Sequence, residues 1–461
     1  MTSTAEAPAW SRPALIAIAL LAGALMLSDV TSSGFGNTYY ATGALAASRS
    51  WSALLTNAAD LGGYASLDKG PLSDWMAGLS SRLFGFNSFS VMLPNALCAL
   101  ASVIVLHDAV RRALGSQIAI VAALIMALTP VAVLVGRYNT PDALLVLLLV
   151  CAARSLTIAL CSGRMRDLVL CGAFVGLAFN TKMLEAYLVA PGVAAALLLG
   201  RATTISRRIG QLVAMLGVAL VVSLSWFTTM MLIPATERPY VGDSPSNSWF
   251  QLILEGNGVE RFLGHGGSFG REVAPGRLLR LFSHHLGGQI GWLLPLAAFG
   301  LALGVRSNWA SRRADPTLGA YLLWGGWGLA GYLVFSFSTG VFHAYYTSLL
   351  APPVATLAAA AIVLLWRAAG RSTSAASALA VVLAGLAALA FLLLGHAGGF
   401  VPWLRWVVLA CGCAAAGMVA AQAYGRMRGQ LARRLTIATA AVGLLGGPTA
   451  YSIATVARTH T

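Results

Sequence analysis

Charge is what this sequence has least of. Only 10% of its 461 residues are Asp, Glu, Lys or Arg, against 58% that are hydrophobic, and the mean hydropathy is +0.77. So little polar surface cannot clothe a water-soluble core of this size, which excludes a soluble globular protein. Lysine is scarcer still: of 30 basic residues only Lys69 and Lys182 are lysines. The six cysteines all lie in or beside apolar runs and outline no disulfide framework, and Cys411-Gly-Cys413 lacks the two-residue spacer of a thioredoxin or zinc motif. A net charge of +15 would suit a nucleic-acid partner, but the arginines fall in small clusters between apolar runs, as membrane topology requires. No nucleic acid is expected.

What is present is a succession of apolar runs. A bilayer core of about 30 Å takes roughly 20 helical residues to cross. Runs of adequate length lie near 13–30, 88–110, 117–136, 142–162, 168–181, 186–200, 211–233, 290–305, 317–337, 347–366, 375–395, 403–424 and 435–453. The fold class expected is an all-α polytopic membrane protein with about 13 transmembrane helices. Arginine clusters at 111–112, 164–166, 201–208, 306–313, 367–371 and 426–434 fall in alternate loops and mark the cytoplasmic side, where the N-terminus also belongs. Of the 15 carboxylates, only Glu6, Asp108, Asp167 and Asp315 share that side. The N-terminal run, with Arg12 ahead of it and no small-residue cleavage site, reads as a signal anchor.

Two loops on the opposite, extracytoplasmic face, 31–87 and 234–289, are far longer than the other links, and function is expected there. The first holds two amphipathic stretches, Tyr39 to Leu55 and Ser73 to Phe84, that suit helices lying along the membrane surface. Residues 1–366 with these loops are expected to form the catalytic core, and 367–461 to add C-terminal helices without a soluble domain.

Several short motifs on that face can carry chemistry. Asp68-Lys69-Gly70-Pro71 sets an acid beside a compact cation: the lysine suits a phosphate, and the aspartate suits a base or a divalent metal ion, although a surface turn with a snorkelling lysine has the same pattern. Arg137-Tyr138-Asn139-Thr140-Pro141-Asp142 places a carboxylate at a helix start, where it either caps or forms a polar site with Arg137. In Asn180-Thr181-Lys182-Met183-Leu184-Glu185 the lysine and glutamate either pair or serve a ligand. Tyr345 and Tyr346 suit an interfacial aromatic belt, which leaves His343 unexplained. His284-His285 with His265 lack a recognised zinc spacing. Asp29 ends the first apolar run and either terminates the helix or joins the site.

Taken in order, Gly36-Asn37-Thr38-Tyr39-Tyr40, Asp68-Lys69-Gly70-Pro71, Arg137 to Asp142, Asn180-Thr181-Lys182, Asp243 to Asn257 and Phe342-His343-Ala344-Tyr345-Tyr346 resemble one family. This is the family of protein mannosyltransferases and aminoarabinose transferases, of the GT-C membrane glycosyltransferase fold, and especially its bacterial branch. The resemblance covers roughly residues 30–350. It implies a polyprenyl-phosphate sugar donor and inverting transfer to a glycan, lipid or protein acceptor on the extracytoplasmic side of the plasma (inner) membrane, within the cell envelope. Lys69 matches the family lysine expected on the lipid phosphate, Asp68 the acid before it, and Asp142 the acid opening the fourth span. The catalytic carboxylate is therefore sought among Asp68, Asp142 and Asp29, and substrate contacts among Lys69, Asn37, Tyr40, Arg137, Lys182, His343 and Tyr345. Two motifs depart from the family: Gly36-Asn37 stands where many relatives carry Asp-Glu, and Gly70 replaces a proline. A transporter of lipid-linked sugars and a non-catalytic binder of them are the alternatives. A transporter would call for charge deep within spans, and Arg154 is nearly the only such residue.

Overall fold

The computed structural model describes residues 8–200, 203–259, 277–310, 317–340, 342–396 and 400–457. Within them the chain is helical, with only isolated β-bridges between Ala58 and Ser66 and between Ala65 and Tyr240. Helix α1 (Ser11–Leu27) precedes three helices of the first long loop, α2 (Thr38–Arg49), α3 (Trp51–Thr56) and α4 (Leu72–Phe84). Then follow α5 (Ser88–Leu114), α6 (Ser116–Ala127), α7 (Pro130–Gly136), α8 (Asp142–Ser162), α9 (Met165–Lys182), α10 (Ala190–Leu199) and α11 (Ile205–Leu232). The remainder is α12 (Leu294–Asn308), α13 (Thr317–Phe337), α14 (Ala351–Ala369), α15 (Thr373–His396), α16 (Leu404–Ala423) and α17 (Gln430–Ala457).

Every stretch expected to span is helical, and the expected thirteen separate spans are not confirmed. Among the described residues ten helices are long and apolar enough to cross, or eleven if α6 and α7, bent by 63°, make one broken span. Thr129 and Pro130 sit at that bend, and proline at the first helical position restarts the chain in a new direction. The runs 168–181 and 186–200 form the helical stretch Met165–Leu199, in which the 3-10 turn Met183–Val189 follows a backbone break after Lys182, where Met183 has φ +49°. Helix α1, at 17 residues, is apolar but shorter than these ten spans.

Close packing in the apolar interior relies on small residues, which let helix backbones approach where burial of apolar surface offers no drive between helices in lipid. Gly192 of α10 lies so near α13 that an added Cβ would stand 2.1 Å from the carbonyl oxygen of Leu323.

The two amphipathic stretches of the first loop form helices as expected, and they are pinned rather than adrift. Trp75 Nε1 donates to the Leu54 carbonyl at 2.6 Å, Trp226 Nε1 from α11 donates to Leu55 at 2.9 Å, and the Arg82 guanidinium lies 3.9 Å above the Trp51 ring. The second loop pairs with the first, as Ser66 N–H donates to Tyr240 at 2.8 Å and Tyr240 N–H to Tyr64 at 2.9 Å. These contacts bring both long loops over the same end of the helix bundle.

Candidate active site at the loop end of the bundle

Asp68 and Lys69 lie just ahead of α4, and both are buried, at 8% and 3% exposure. The Lys69 ammonium donates to Asp68 Oδ2, and to Asn257 Oδ1 of the second loop at 2.6 Å. Asn257 Nδ2 returns a bond to the Asp68 carbonyl at 2.8 Å, while Asn57 Nδ2 holds the Lys69 carbonyl at 3.0 Å. The Asp68 N–H donates to the Tyr39 hydroxyl at 2.8 Å. A flexible lysine is thereby fixed at a defined point over the bundle.

The adjoining glycine explains one departure from the family pattern. A Cβ on Gly70 would meet the Asn180 carbonyl oxygen at 2.1 Å, so the loop can press onto the end of α9 only with glycine there. That contact sets Asp68-Lys69 beside the Asn180-Thr181-Lys182 turn. Lys182 is itself buried, at 3%, and pairs with Asp142 at 2.8 Å and with Glu185 at 3.0 Å. Its ammonium also lies 3.9 Å over the Tyr346 ring and 5.6 Å from that of Tyr345, a cation–π arrangement. The sequence left pairing with Glu185 open, and the structure adds Asp142, which is fully buried and binds this lysine rather than capping α8.

Tyr40 and Tyr345 lie between the two ion-pair groups. Burial, then the charges of Asp68, Tyr345 and Asp74, hold the Tyr40 phenol well above its usual pKa; burial, followed by Asp68, raises Tyr39 as well. Both phenols thus stay neutral hydrogen-bond donors. His343 stacks on Tyr345, with centroids 5.0 Å apart and an interplanar angle of 7°. Asp68, Lys69, Asp142, Lys182, Tyr40, His343 and Tyr345 are therefore gathered at one end of the bundle.

Three other sequence candidates have different surroundings. Arg137 is 2% exposed and its guanidinium donates to the carbonyls of Leu25, Ser28, Asp29 and Val456, closing the end of α1 and tying it to α17. It makes no ion pair with Asp142. The Asn37 side chain caps α2 by accepting from Tyr39 N–H at 3.0 Å, and its backbone exchanges bonds with Asn139 at 2.6 and 2.9 Å. Asp29 is exposed, with φ +46°, at the mouth of α1. At the other departure Gly36 has φ +60°, and a Cβ there would meet the Met92 methyl at 2.5 Å and Asn139 Oδ1 at 2.7 Å, so a side chain at this position is strained.

Asp74 was missed by sequence reasoning. It is 4% exposed, its Oδ2 has no hydrogen-bond partner, and burial followed by the charge of Asp68 pushes its carboxyl well above the usual range. A signal existed. Asp74, Gly78 and Ser81 repeat at helical spacing and are buried, whereas Leu79 and Leu83 of the same helix are 43% and 78% exposed, so α4 turns its small polar stripe inward. Among the described residues no three His, Cys, Asp or Glu side chains gather as a metal set, and His265 lies outside them.

Residues 68–226, which contain both ion-pair groups apart from Asn257 and the tyrosines, match the sequence model of the dolichyl-phosphate-mannose-protein mannosyltransferase family. "Putative mannosyltransferase YycA" of Bacillus subtilis (strain 168) is 29% identical, over 75% of this chain and 62% of that protein. The chain thus spans about three-fifths of the length of the curated relatives it matches. Among solved structures, ArnT from Cupriavidus metallidurans superposes with a TM-score of 0.61 at 19% identity, covering 96% of this chain and 75% of that one; a second structure of it, bound to undecaprenyl phosphate, gives 0.59. The oligosaccharyltransferase AglB from Archaeoglobus fulgidus, in complex with an inhibitory peptide and a dolichol-phosphate, gives 0.58 at 12% identity over 97% of this chain and 56% of that one.

Proposed function

We propose that the chain is a GT-C-fold glycosyltransferase akin to the protein mannosyltransferases and aminoarabinose transferases, and that it transfers a sugar from a polyprenyl-phosphate donor to an acceptor at its loop end. The observation that carries this reading is the pair of buried lysines. The only two lysines of the chain are both held within the bundle's loop end, each against a carboxylate, and Gly70 locks their segments together.

In this reading the lipid phosphate docks on the Lys69 ammonium and displaces Asp68 from it. The freed Asp68 carboxylate accepts the proton of the acceptor hydroxyl as its oxygen attacks the anomeric carbon. The bond from that carbon to the phosphate oxygen breaks, and the electron pair leaves with the polyprenyl phosphate, whose charge Lys69 stabilises. A single displacement of this kind inverts the anomeric centre. Asp68 suits the base better than Asp142 because its side chain keeps 12% exposure, whereas Asp142 is sealed at 0% against Lys182. Tyr40 and Tyr345 offer phenol hydroxyls, and the stacked rings of His343 and Tyr345 a flat face, to the sugar.

Arginine clusters at the far ends of α5, α14 and α17 support an extracytoplasmic position for the site in the plasma membrane, with the N-terminus inside. The test is transfer of label from a panel of radiolabelled polyprenyl-phosphate sugars to a membrane extract by the purified protein. Transfer that is lost in Asp68→Asn supports the proposal. Donor retained without transfer under every condition favours a non-catalytic binder instead, for which the absent acid at Gly36-Asn37 is the motivating observation.

A further inference from the structure

At the opposite end of the bundle a cavity of about 1180 Å³ lies along the seam between α6 and α14 on one side and α15, α16 and α17 on the other. Its walls are aliphatic, from Ile120 and Leu124 of α6 to Leu379 of α15 and Leu444 of α17. Its mouth is not. Arg367, Arg371 and Arg433 stand there with no carboxylate among the described lining residues, and Arg367 of α14 is held by Gln117 Oε1 of the adjoining α6 at 2.6 and 3.1 Å. The active-site residues lie at the other end of α14, beyond Tyr345, so this cavity belongs to a different site.

Its dimensions identify the occupant. Along α17 the lining runs from Arg433 at the mouth to Leu445 at the floor, about 18 Å at 1.5 Å per residue. That is close to half of a bilayer core of about 30 Å. We propose that the seam holds one anionic phospholipid of the adjoining leaflet, its phosphate on Arg367, Arg371 and Arg433 and its acyl chains against α6 and α17. Acyl chains end near the bilayer midplane, as the cavity does; a polyprenyl chain is longer than one leaflet and would overrun the floor. Among the described residues no carboxylate lines this mouth, and three arginines so placed attract an anionic headgroup and give a zwitterionic one little advantage. The lipid then serves as mortar between the C-terminal three helices and the rest of the bundle.

Native mass spectrometry of the delipidated full-length chain, titrated with phosphatidylglycerol, tests the proposal. One lipid is expected to be retained, with phosphatidylcholine bound far more weakly. Arg371→Ala/Arg433→Ala, which leaves the Gln117–Arg367 tether intact, should weaken retention on the order of 30-fold, from about 1 kcal/mol per arginine. Ala440→Trp, which fills the cavity without touching charge, should abolish retention while the protein stays monodisperse. Equal retention of the two phospholipids, or retention unchanged in both variants, overturns the proposal. Displacement of the lipid by equimolar polyprenyl phosphate overturns the choice of a phospholipid, and binding of inorganic phosphate with the same affinity overturns the role of the chains.

Discussion

Lys69 and Lys182 differ in what their neighbours allow. Lys182 is shared by two carboxylates and two aromatic rings, with Asp142 wholly buried beside it. Removing one partner of such a pair leaves an uncompensated charge in a low-dielectric setting. Lys182→Met should therefore lower unfolding stability by about 3–5 kcal/mol, measured in detergent, whereas a loss of activity with unaltered stability would assign Lys182 to substrate instead. Asp74 gives a pH signature. Its folded-state pKa lies above the ordinary 3.8, so the folded chain holds that proton more tightly than the unfolded one. The resulting stabilisation is complete below that value and is lost as pH rises from it toward the raised pKa. Asp74→Asn cannot ionise, so its melting temperature should exceed the parent's at pH 7 and above and converge with it in acid. Parallel melting profiles across pH would refute a raised Asp74.

At the scale of elements, the geometry depends on loops meeting helix ends, and this was the least legible part of the sequence. Asp68-Lys69, Asp142 and Lys182 stand out as charges at the borders of apolar runs. Their pairing does not, because it is fixed by how the turn after α9 meets α8 and by Asn257, 188 residues from Lys69. Arg137 misled for a related reason: a guanidinium that closes the carbonyl end of α1 has the same sequence context as one that binds phosphate. The amphipathic helices α2 and α4 were legible from their periodicity, yet the inward side of α4 proved to be its polar stripe, which is how Asp74 escaped notice. Two glycines supply tests. Gly36→Asp reinstates an acid of the family pattern but forces a side chain into φ +60° and onto Met92, so it should reduce stability and not raise transfer; a gain in transfer would show that the loop can repack. Gly70→Ala drives a methyl into the Asn180 carbonyl and should uncouple the loop from α9, cutting transfer while the bundle stays folded by circular dichroism. Full activity in that variant would mean that the contact is dispensable.

At the scale of the molecule, composition and hydropathy sufficed for the class, since 58% hydrophobic residues in runs of span length admit no soluble alternative. The count of spans was harder to read, because Lys182 and Glu185, the charges between α9 and α10, sit where a 3-10 turn, Met183–Val189, joins the two helices without a loop. Sidedness is open to direct measurement. In a cysteine-free background, Leu61→Cys in the first loop should react with a membrane-impermeant maleimide on intact cells, and Met165→Cys, at the start of α9 between Arg164 and Arg166, should not; both positions are exposed in the structure. The reverse pattern would place the site on the cytoplasmic side. The central claim is that Lys69 holds the donor phosphate while Asp68 takes the acceptor proton. The steady-state comparison of Lys69→Ala and Asp68→Asn with the parent, using a polyprenyl-phosphate sugar that the parent accepts, tests it most directly. The account predicts a raised donor KM for Lys69→Ala and a collapse of kcat with donor KM nearly unchanged for Asp68→Asn. Parent-like kcat and KM in both variants, with the folded protein recovered in full, would contradict it.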